Sequence, residues 1–259
     1  MSDFLKTIVD AKKIEVANLY KNIGLETFQN KYPLAKKPSN KNSFYKALKK
    51  TGLSLIAEVK KASPSKGVIR KDFEPVQLAK DFEDMGAAAI SVLTEKDFFL
   101  GSSEYLKNIK EQVRIPVLRK DFIIDPIQVY EAKDIGADAV LLIKAILDNQ
   151  TCQMLLSLTN SLGLDVLLEI HNEEELEQIK KLENVSIVGI NNRNLTTFEV
   201  DINTAPQLKA KGLRYFNSDV CFVAESGYQN QGELNGLCEE EFDGILIGEG
   251  LALNKGLFN

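Results

Sequence analysis

Charged and amide side chains recur at the carboxyl ends of apolar runs that have the composition of buried strands. Lys60, Lys120, Glu169, Asn191 and Glu225 all occupy this place. A lone charged residue deep within a buried strand would be costly unless it were paired. The carboxyl ends of parallel strands instead meet at one rim, where α/β enzymes build their sites. The pattern therefore predicts an active site at this rim.

Ammonium and carboxylate groups at one rim could bind anions and transfer protons. Glu58 and Lys60 are two residues apart and share a strand face, where the lysine could bind a carboxylate or phosphate. A structural ion pair fits the two equally well. Lys120 beside a cationic Lys60 would have a lowered pKa, which suits a proton donor or a Schiff-base amine. An ion pair of Lys120 with Glu58 or Glu169 is the alternative.

A partly desolvated carboxylate and an amide follow the fifth and sixth strands. Glu169, close to a lysine, is a candidate general base. His171, two residues further on, we interpret as a loop or capping residue. Asn191 can bind hydroxyl or carbonyl groups without titrating, and Arg193 can hold either its own loop or a substrate anion.

Glycines follow the last two predicted strands. Gly227 and Gly248 stand where such barrels frequently bind phosphate through backbone N–H groups, and a missing side chain lets the backbone approach closely. Glu249 is an unfavourable neighbour for a phosphate, so we expect its side chain to point away. The sequence therefore predicts a phosphate site at these two strand ends.

A repeated unit of strand, polar loop, amphipathic helix and glycine must position these residues. The glycines that end the helices are predicted to be Gly86, Gly136, Gly163 and Gly212. The eight predicted strands span residues 53–60, 88–94, 116–122, 139–144, 165–170, 186–191, 221–226 and 244–249. Strands and helices that alternate eight times favour a closed (β/α)8 TIM barrel, an α/β fold, over an open doubly wound sheet.

The two ends of the chain depart from the repeat. Residues 1–52 carry a helical apolar pattern, which predicts a helical extension packed on the barrel rather than a disordered tail. Residues 53–259 form the predicted barrel, so the chain has a single domain overall. Only 251–259 follow the eighth strand, which predicts a shortened last helix.

Composition narrows the class of protein. The chain has 259 residues and a formal net charge of -5, with no basic block to attract nucleic acid. Three cysteines without metal-ligand spacing favour a reducing cytoplasm. The start of the chain lacks a signal-peptide pattern, and no apolar stretch approaches the roughly 20 residues that span a bilayer. We expect a cytoplasmic monomer that binds a small anionic molecule, and neither nucleic acid nor a membrane.

The motifs together resemble the indole-3-glycerol phosphate synthase family. The resemblance runs in order from residue 53 to about residue 250. Its segments are Ile56–Lys60 with Ser63–Ser65, Ser91–Thr94 with Phe99 and Gly101–Ser102, Lys120–Ile123, Glu169, Gly189–Arg193, Ala224–Gly227 and Leu246–Gly248. The combination is far more specific than any single motif. Position 249 departs from the family pattern, since it holds Glu where Ser is frequent.

The resemblance implies a lyase of tryptophan biosynthesis that needs no cofactor and no metal. The reaction is ring closure of 1-(2-carboxyphenylamino)-1-deoxyribulose 5-phosphate with loss of carbon dioxide and water. Lys120 would protonate the substrate carbonyl, and Glu169 would act in later proton transfers. Glu58 and Asn191 would hold hydroxyls and reacting groups.

The same resemblance implies three binding regions. Anionic groups would contact Lys60 and Ser63, while Arg193 and Glu225 would support the polar side of the substrate site. The remaining residues form a phosphate region of Ser226, Gly227, Gly248 and the backbone at Glu249, and an apolar cradle for the aromatic ring of Phe99, Phe122, Leu141 and Leu195.

Other functions remain open at this point. A Schiff-base aldolase would use Lys120 as a nucleophile, and borohydride trapping of a carbonyl substrate would reveal it. A non-catalytic sensor of a sugar phosphate would have no evident need for Lys60, Lys120 and Glu169 together. A scaffold protein would need none of these groups.

Overall fold

The predicted apolar runs form parallel strands that close into a barrel. The computed structural model describes residues 2–35, 39 and 41–248. Within them the barrel strands are β1 Ser54–Val59, β2 Ala89–Leu93, β3 Val117–Lys120, β4 Ala139–Ile143, β5 Asp165–Ile170, β6 Ile187–Asn191, β7 Cys221–Glu225 and β8 Gly244–Ile247. Each strand pairs in parallel with the next, and β8 pairs with β1. The predicted TIM barrel is confirmed.

Helices surround the barrel and precede it. In the described part of the chain they are α1 Asp3–Asn22, α2 Leu25–Lys31 and α3 Ser43–Leu48 before β1, and then α4 Pro75–Asp84, α5 Ser103–Lys110, α6 Pro126–Asp134, α7 Asn149–Ser161, α8 Glu173–Ile179, α9 Thr204–Gly212 and α10 Gln231–Glu239. No helix among these residues is long and apolar enough to cross a bilayer. The predicted shortening of the last helix concerns residues outside the described part and stays a prediction.

Glycine ends the helices in two different ways. Gly86, Gly136 and Gly163 have positive φ angles of 89°, 86° and 72°, as the helix-ending role predicts. The left-handed conformation predicted for Gly212 is wrong. This residue is the last residue of α9 and is not among the glycines with a positive φ angle. A Cβ atom there would lie 3.0 Å from Cε1 of Phe222, so a side chain at this position would crowd the ring of Phe222 on β7.

The barrel interior is closed at its amino-terminal end by α3. Phe44 and Leu48 of this helix are fully buried with the inward side chains of the strands, among them Ile56. The carboxylate of Asp165, the first residue of β5, accepts hydrogen bonds from the backbone N–H groups of Asn42 (2.7 Å) and Tyr45 (2.9 Å). These bonds satisfy donors at the start of α3 and hold it against the strand ends.

A buried ion pair attaches α1 to the other end of the barrel. Lys12 is 1% exposed, and its Nζ lies 2.8 Å from Oδ1 of Asp121 and 3.0 Å from Oε2 of Glu15. Asp121 follows β3 directly and also accepts hydrogen bonds from Thr94 (2.6 Å) and from the buried Arg119 (3.2 Å). Burial alone would raise the pKa of Asp121, but the two cations outweigh it and lower the pKa to about 2. The extension is thereby fixed to the residue next to Lys120.

Lys12→Met should loosen both the extension and the segment after β3. Removing one partner of a buried pair leaves a charge uncompensated, which costs about 3 kcal/mol in the free energy of unfolding. Lys13→Met is the matched control on the same helix, because Lys13 forms an exposed pair with Asp10. Urea denaturation of both variants tests this. Equal stability of the two would show that the buried pair does not hold α1.

Candidate active site

A single cavity collects the predicted site residues at the carboxyl ends of the strands. Its volume is about 520 Å³. The lining includes Glu58, Lys60, Ser63, Phe99, Lys120, Phe122, Leu141, Glu169, Asn191, Arg193, Leu195, Glu225, Ser226, Gly227 and Gly248. Glu249, the remaining predicted site residue, lies outside the described residues. The rim that the strand ends predict is therefore the place where these side chains meet.

Four of these charged side chains come from alternate strands. Glu58 lies on β1, Lys120 on β3, Glu169 on β5 and Glu225 on β7. Inward side chains of alternate strands share one layer in a barrel of this kind. The layer at the mouth, where aliphatic residues could have packed, therefore holds one ammonium group and three carboxyl groups.

Lys120 lies among these carboxyl groups. Its Nζ is 3.2 Å from Oε2 of Glu225 and 3.5 Å from Oε2 of Glu169. Burial lowers the pKa of Lys120, but the carboxylates of Glu225, Glu169 and Glu58 outweigh burial and raise the pKa above its ordinary value. The predicted lowering of this pKa is wrong, because the nearby carboxylates exert the dominant electrostatic effect. Lys120 is therefore a cation at neutral pH.

Glu169 and Glu225 differ in protonation although both are buried. Burial and the neighbouring Glu169 raise the pKa of Glu225 to about 8, against the attraction of Lys120. Burial also acts to raise the pKa of Glu169, but Lys120 and His171 overcome it and lower the pKa to about 2. Two close carboxyl groups cannot both ionise cheaply, so the pair retains one proton at neutral pH. Glu169 is the ionised member and Glu225 the protonated one.

Glycine residues on or just after the even-numbered strands β6 and β8 leave room for the carboxyl groups. A Cβ atom on Gly189 of β6 would lie 2.2 Å from Oε1 of Glu225, and one on Gly248, after β8, would lie 2.3 Å from Oε1 of Glu58. No carboxylate could keep its present place beside such a side chain. Gly248 thus leaves space for the side chain of Glu58, in addition to its predicted role of letting the backbone approach a phosphate.

Glu58 and Lys60 share one face of the β1 end, as alternation predicts. Oε1 of Glu58 lies 2.6 Å from Nζ of Lys60. Both line the cavity together with Ser63, whose Oγ lies 3.4 Å from Oγ of Ser65. The ion pair and the place in the cavity coexist, so Lys60 can be held by Glu58 while its ammonium group faces a bound anion.

The loop after β6 is tied to itself and to the next strand. Oδ1 of Asn191 accepts a hydrogen bond from the backbone N–H of Arg193 (3.0 Å), and Nη1 of Arg193 donates to the carbonyl of Phe198 (3.2 Å). Nδ2 of Asn192 donates to the carbonyl of Ser226 at 2.9 Å. Arg193 was predicted either to hold its own loop or to bind a substrate anion. In the structure its guanidinium group holds the loop.

The segment after β7 enters the cavity in an unusual backbone conformation. Ser226 has a φ of 67° and Gly227 a φ of 98°. A Cβ atom on Gly227 would lie 2.5 Å from Cγ1 of Val200, so only glycine fits against the loop after β6. Backbone turns can present N–H groups to an anion. This geometry suits the predicted phosphate region, to which both residues belong.

Aromatic and aliphatic side chains also line the cavity. The rings of Phe99 and Phe122 lie 6.2 Å apart between centroids, with Leu141 and Leu195 on the same cavity surface. The sequence prediction missed Phe4 of α1, which lines the cavity and packs edge-on against Phe198 at 5.1 Å. The apolar periodicity of residues 1–52 could have pointed to this part of the chain. It places Phe4 next to the predicted apolar face of the helix rather than on it.

Fold and site together define a barrel enzyme whose cavity has an aromatic wall and a charged wall. A family model described as indole-3-glycerol phosphate synthase matches residues 5–257. Relatives with that description come from Endomicrobium trichonymphae, at 47% identity over 95% of this chain and 93% of the relative, and from Chlorobium chlorochromatii, at 41% identity over 98% and 97%. The chain belongs to the indole-3-glycerol phosphate synthase family.

Solved structures of a different protein share the fold alone. A tryptophan synthase alpha-subunit from Pyrococcus furiosus superposes with a TM-score of 0.59 at 16% identity, over 77% of this chain and 89% of that one. At such low identity the likeness supports the barrel architecture, and it carries no information on substrate.

Gly248→Ala should displace the Glu58 carboxylate and thereby reduce kcat/KM, by up to about 100-fold for a shift of about 1 Å in a reacting group. The control is Gly236→Ala in α10, where an added Cβ meets nothing within 4 Å. Thermal unfolding and steady-state kinetics of the two variants test the prediction. A folded Gly248→Ala variant with unchanged kcat/KM would contradict the seating role of this glycine.

Proposed function

We propose that this protein is an indole-3-glycerol-phosphate synthase that converts 1-(2-carboxyphenylamino)-1-deoxyribulose 5-phosphate to indole-3-glycerol phosphate. Its family makes it a carbon–carbon lyase of tryptophan biosynthesis. The observation that carries the proposal is the cavity itself. Phe99 and Phe122 line the same cavity of about 520 Å³ as Lys120, Glu169 and Glu225. This lining suits a substrate that has both an aromatic ring and a polar sugar chain.

Ring closure begins when the ring carbon that bears the carboxylate attacks the ketone carbon of the sugar chain. The new carbon–carbon bond pushes the carbonyl electron pair onto oxygen, and Lys120 delivers a proton there. The carbon–carboxylate bond then breaks, carbon dioxide leaves and its bonding electrons restore the aromatic ring. Positioned proton transfer of this kind typically contributes about 10²–10⁴-fold to the rate.

Dehydration completes the indole ring. Lys120, which has regained a proton from solvent, protonates the new hydroxyl group so that it leaves as water, while a proton is removed from the adjoining carbon of the five-membered ring. We assign Glu169 as the base in this step, because its carboxylate lines the cavity and lies 3.5 Å from Lys120, the proton donor. Glu58 and Asn191 hold hydroxyls of the sugar chain, and Glu225 supports the network as its protonated member.

Binding of the anionic groups falls to two sets of residues that line the cavity. Lys60 and Ser63 bind a group that stays charged throughout the reaction. The phosphate lies against Ser226, Gly227 and Gly248, where the backbone comes close to the cavity. Such contacts are equally strong in the ground state and the transition state, so they lower KM more than they raise kcat.

The alternative of a Schiff-base aldolase is disfavoured by one observation. A lysine nucleophile must lose its proton before it attacks a carbonyl, which a lowered pKa assists. The carboxylates around Lys120 raise its pKa instead. The geometry therefore suits an ammonium group that donates a proton.

The setting of the enzyme follows from the same proposal. We place it in the cytoplasm, because its cysteines at 152, 221 and 238 are free thiols and its substrate is a metabolic intermediate. We also propose that it acts as a monomer. Its partner is the small anionic substrate rather than nucleic acid, in keeping with a net charge of -5.

Lys120→Met and Lys60→Met should separate chemistry from binding. Lys120→Met should lower kcat by about 10²–10⁴-fold with a smaller change in KM, because it removes the proton donor. Lys60→Met should raise KM at least as much as it lowers kcat, because it removes an anion contact. The assay follows indole fluorescence from the purified chain and the carboxyphenylamino substrate, under single-turnover and steady-state conditions.

Absence of indole product with the unaltered chain would overturn the proposed function. If Lys60→Met abolished the chemical step while Lys120→Met only raised KM, the two lysines would have exchanged roles. Affinity for the product, measured separately, distinguishes a loss of binding from a loss of catalysis. Circular dichroism of both variants shows that each has folded.

A further inference from the structure

His171 lies between two carboxylates immediately after β5. Its Nε2 is 3.1 Å from Oε1 of Glu169, and its Nδ1 is 3.1 Å from Oε2 of Glu175. The side chain is 7% exposed. A neutral imidazole has one N–H group and one lone pair, whereas the imidazolium has two N–H groups. Two carboxylates facing both ring nitrogens therefore favour the charged form.

The outer carboxylate is fixed to the backbone. Oε2 of Glu175 also accepts the backbone N–H of His171 (2.9 Å), and its Oε1 accepts Nδ2 of Asn172 at 2.9 Å. Asn172 in turn caps α8 by accepting the N–H of Glu175 at 3.0 Å. Glu175 is thus held at the first turn of a helix, and it gives the imidazole a rigid support.

We propose that His171 is a positioning residue for Glu169. As an imidazolium it forms an ion pair with Oε1 of Glu169 at 3.1 Å, while Oε2 of Glu169 lies 3.5 Å from Nζ of Lys120. This inference rests on the proposed function, in which Glu169 is a base. It goes beyond that function by assigning to a residue outside the reacting groups the task of keeping the base ionised and aimed.

The charges around the imidazole support the charged state. Burial lowers the pKa of His171, but Glu169 and Glu175 outweigh it and raise the pKa to about 10. Glu169 in turn lies near Lys120 and Glu225, and Glu58 also acts on Lys120. The imidazolium and Lys120 together keep the pKa of Glu169 low. Loss of the imidazolium should therefore raise the pKa of Glu169 and move the acid limb of the kcat profile to higher pH.

The ring can be observed directly, since the chain contains a single histidine. In untagged protein labelled with ¹⁵N at the ring, both nitrogens should carry protons from pH 6 to pH 9. Glu175→Gln and Glu169→Gln should each lower the midpoint of the histidine titration. A neutral ring at pH 7 in the unaltered protein would overturn the proposal, whatever the activity.

Two replacements of His171 test its effect on the reaction. His171→Leu removes both contacts and should lower kcat, by up to about 100-fold for a misplacement of about 1 Å. KM should change little, and the acid limb of the kcat profile should move to higher pH. His171→Gln supplies a neutral N–H donor, so it should recover part of kcat without restoring the acid limb. A His171→Leu enzyme with the original kcat and the original pH profile would overturn the positioning role.

Failure of this inference and failure of the proposed function give different results. Glu169→Gln is the variant that separates them. If it keeps full activity, the role of Glu169 as a base is wrong, and the positioning role of His171 falls with it. If it is inactive while His171→Leu behaves like the unaltered enzyme, the base stands and the positioning role alone is refuted.

Discussion

The partly buried ammonium group of Lys120, paired with carboxyl groups, is the interaction on which the site depends. A cation withdrawn from water is costly unless charge partners replace its hydration. Glu58, Glu169 and Glu225 surround it, and closure of the barrel brings their strands together. Burial and the neighbouring Glu169 raise the pKa of Glu225 to about 8, against the attraction of Lys120. The mouth therefore contains an ammonium donor beside an ionised Glu169.

The rest of the molecule serves this cluster by packing and by attachment. Gly189 and Gly248 leave space for the carboxyl oxygens of Glu225 and Glu58. The Lys12–Asp121 pair fastens α1 beside Lys120, and the same helix brings Phe4 to the aromatic wall. The amino-terminal extension is therefore part of the cavity, since it supplies both a lining ring and a buried charge.

Most of the architecture follows from local pattern. Each barrel strand lies within two residues of its predicted bounds at either end, because apolar runs and glycine boundaries are properties of short segments. Alternation likewise places Arg119 and Lys120 on opposite faces, with Arg119 buried against Glu131 of α6. Local sequence pattern could not predict the direction of the Lys120 pKa shift. It depends on Glu225, 105 residues away, which only barrel closure brings to 3.2 Å. His171 was underestimated for a similar reason, since its task appears only when Glu169 and Glu175 flank the ring.

Titration of the Lys120 amine is the most direct test of this charge arrangement. Lysine labelled with ¹³C at Cε and ¹⁵N at Nζ would be followed by NMR against pH, with the Lys120→Met protein identifying the resonance. The structure predicts that Lys120 stays an ammonium ion beyond pH 10, the ordinary range for lysine, and that Glu225→Gln lowers its midpoint. A midpoint below about pH 9 would contradict it, since Lys120 would then be the readily deprotonated amine that a Schiff base requires.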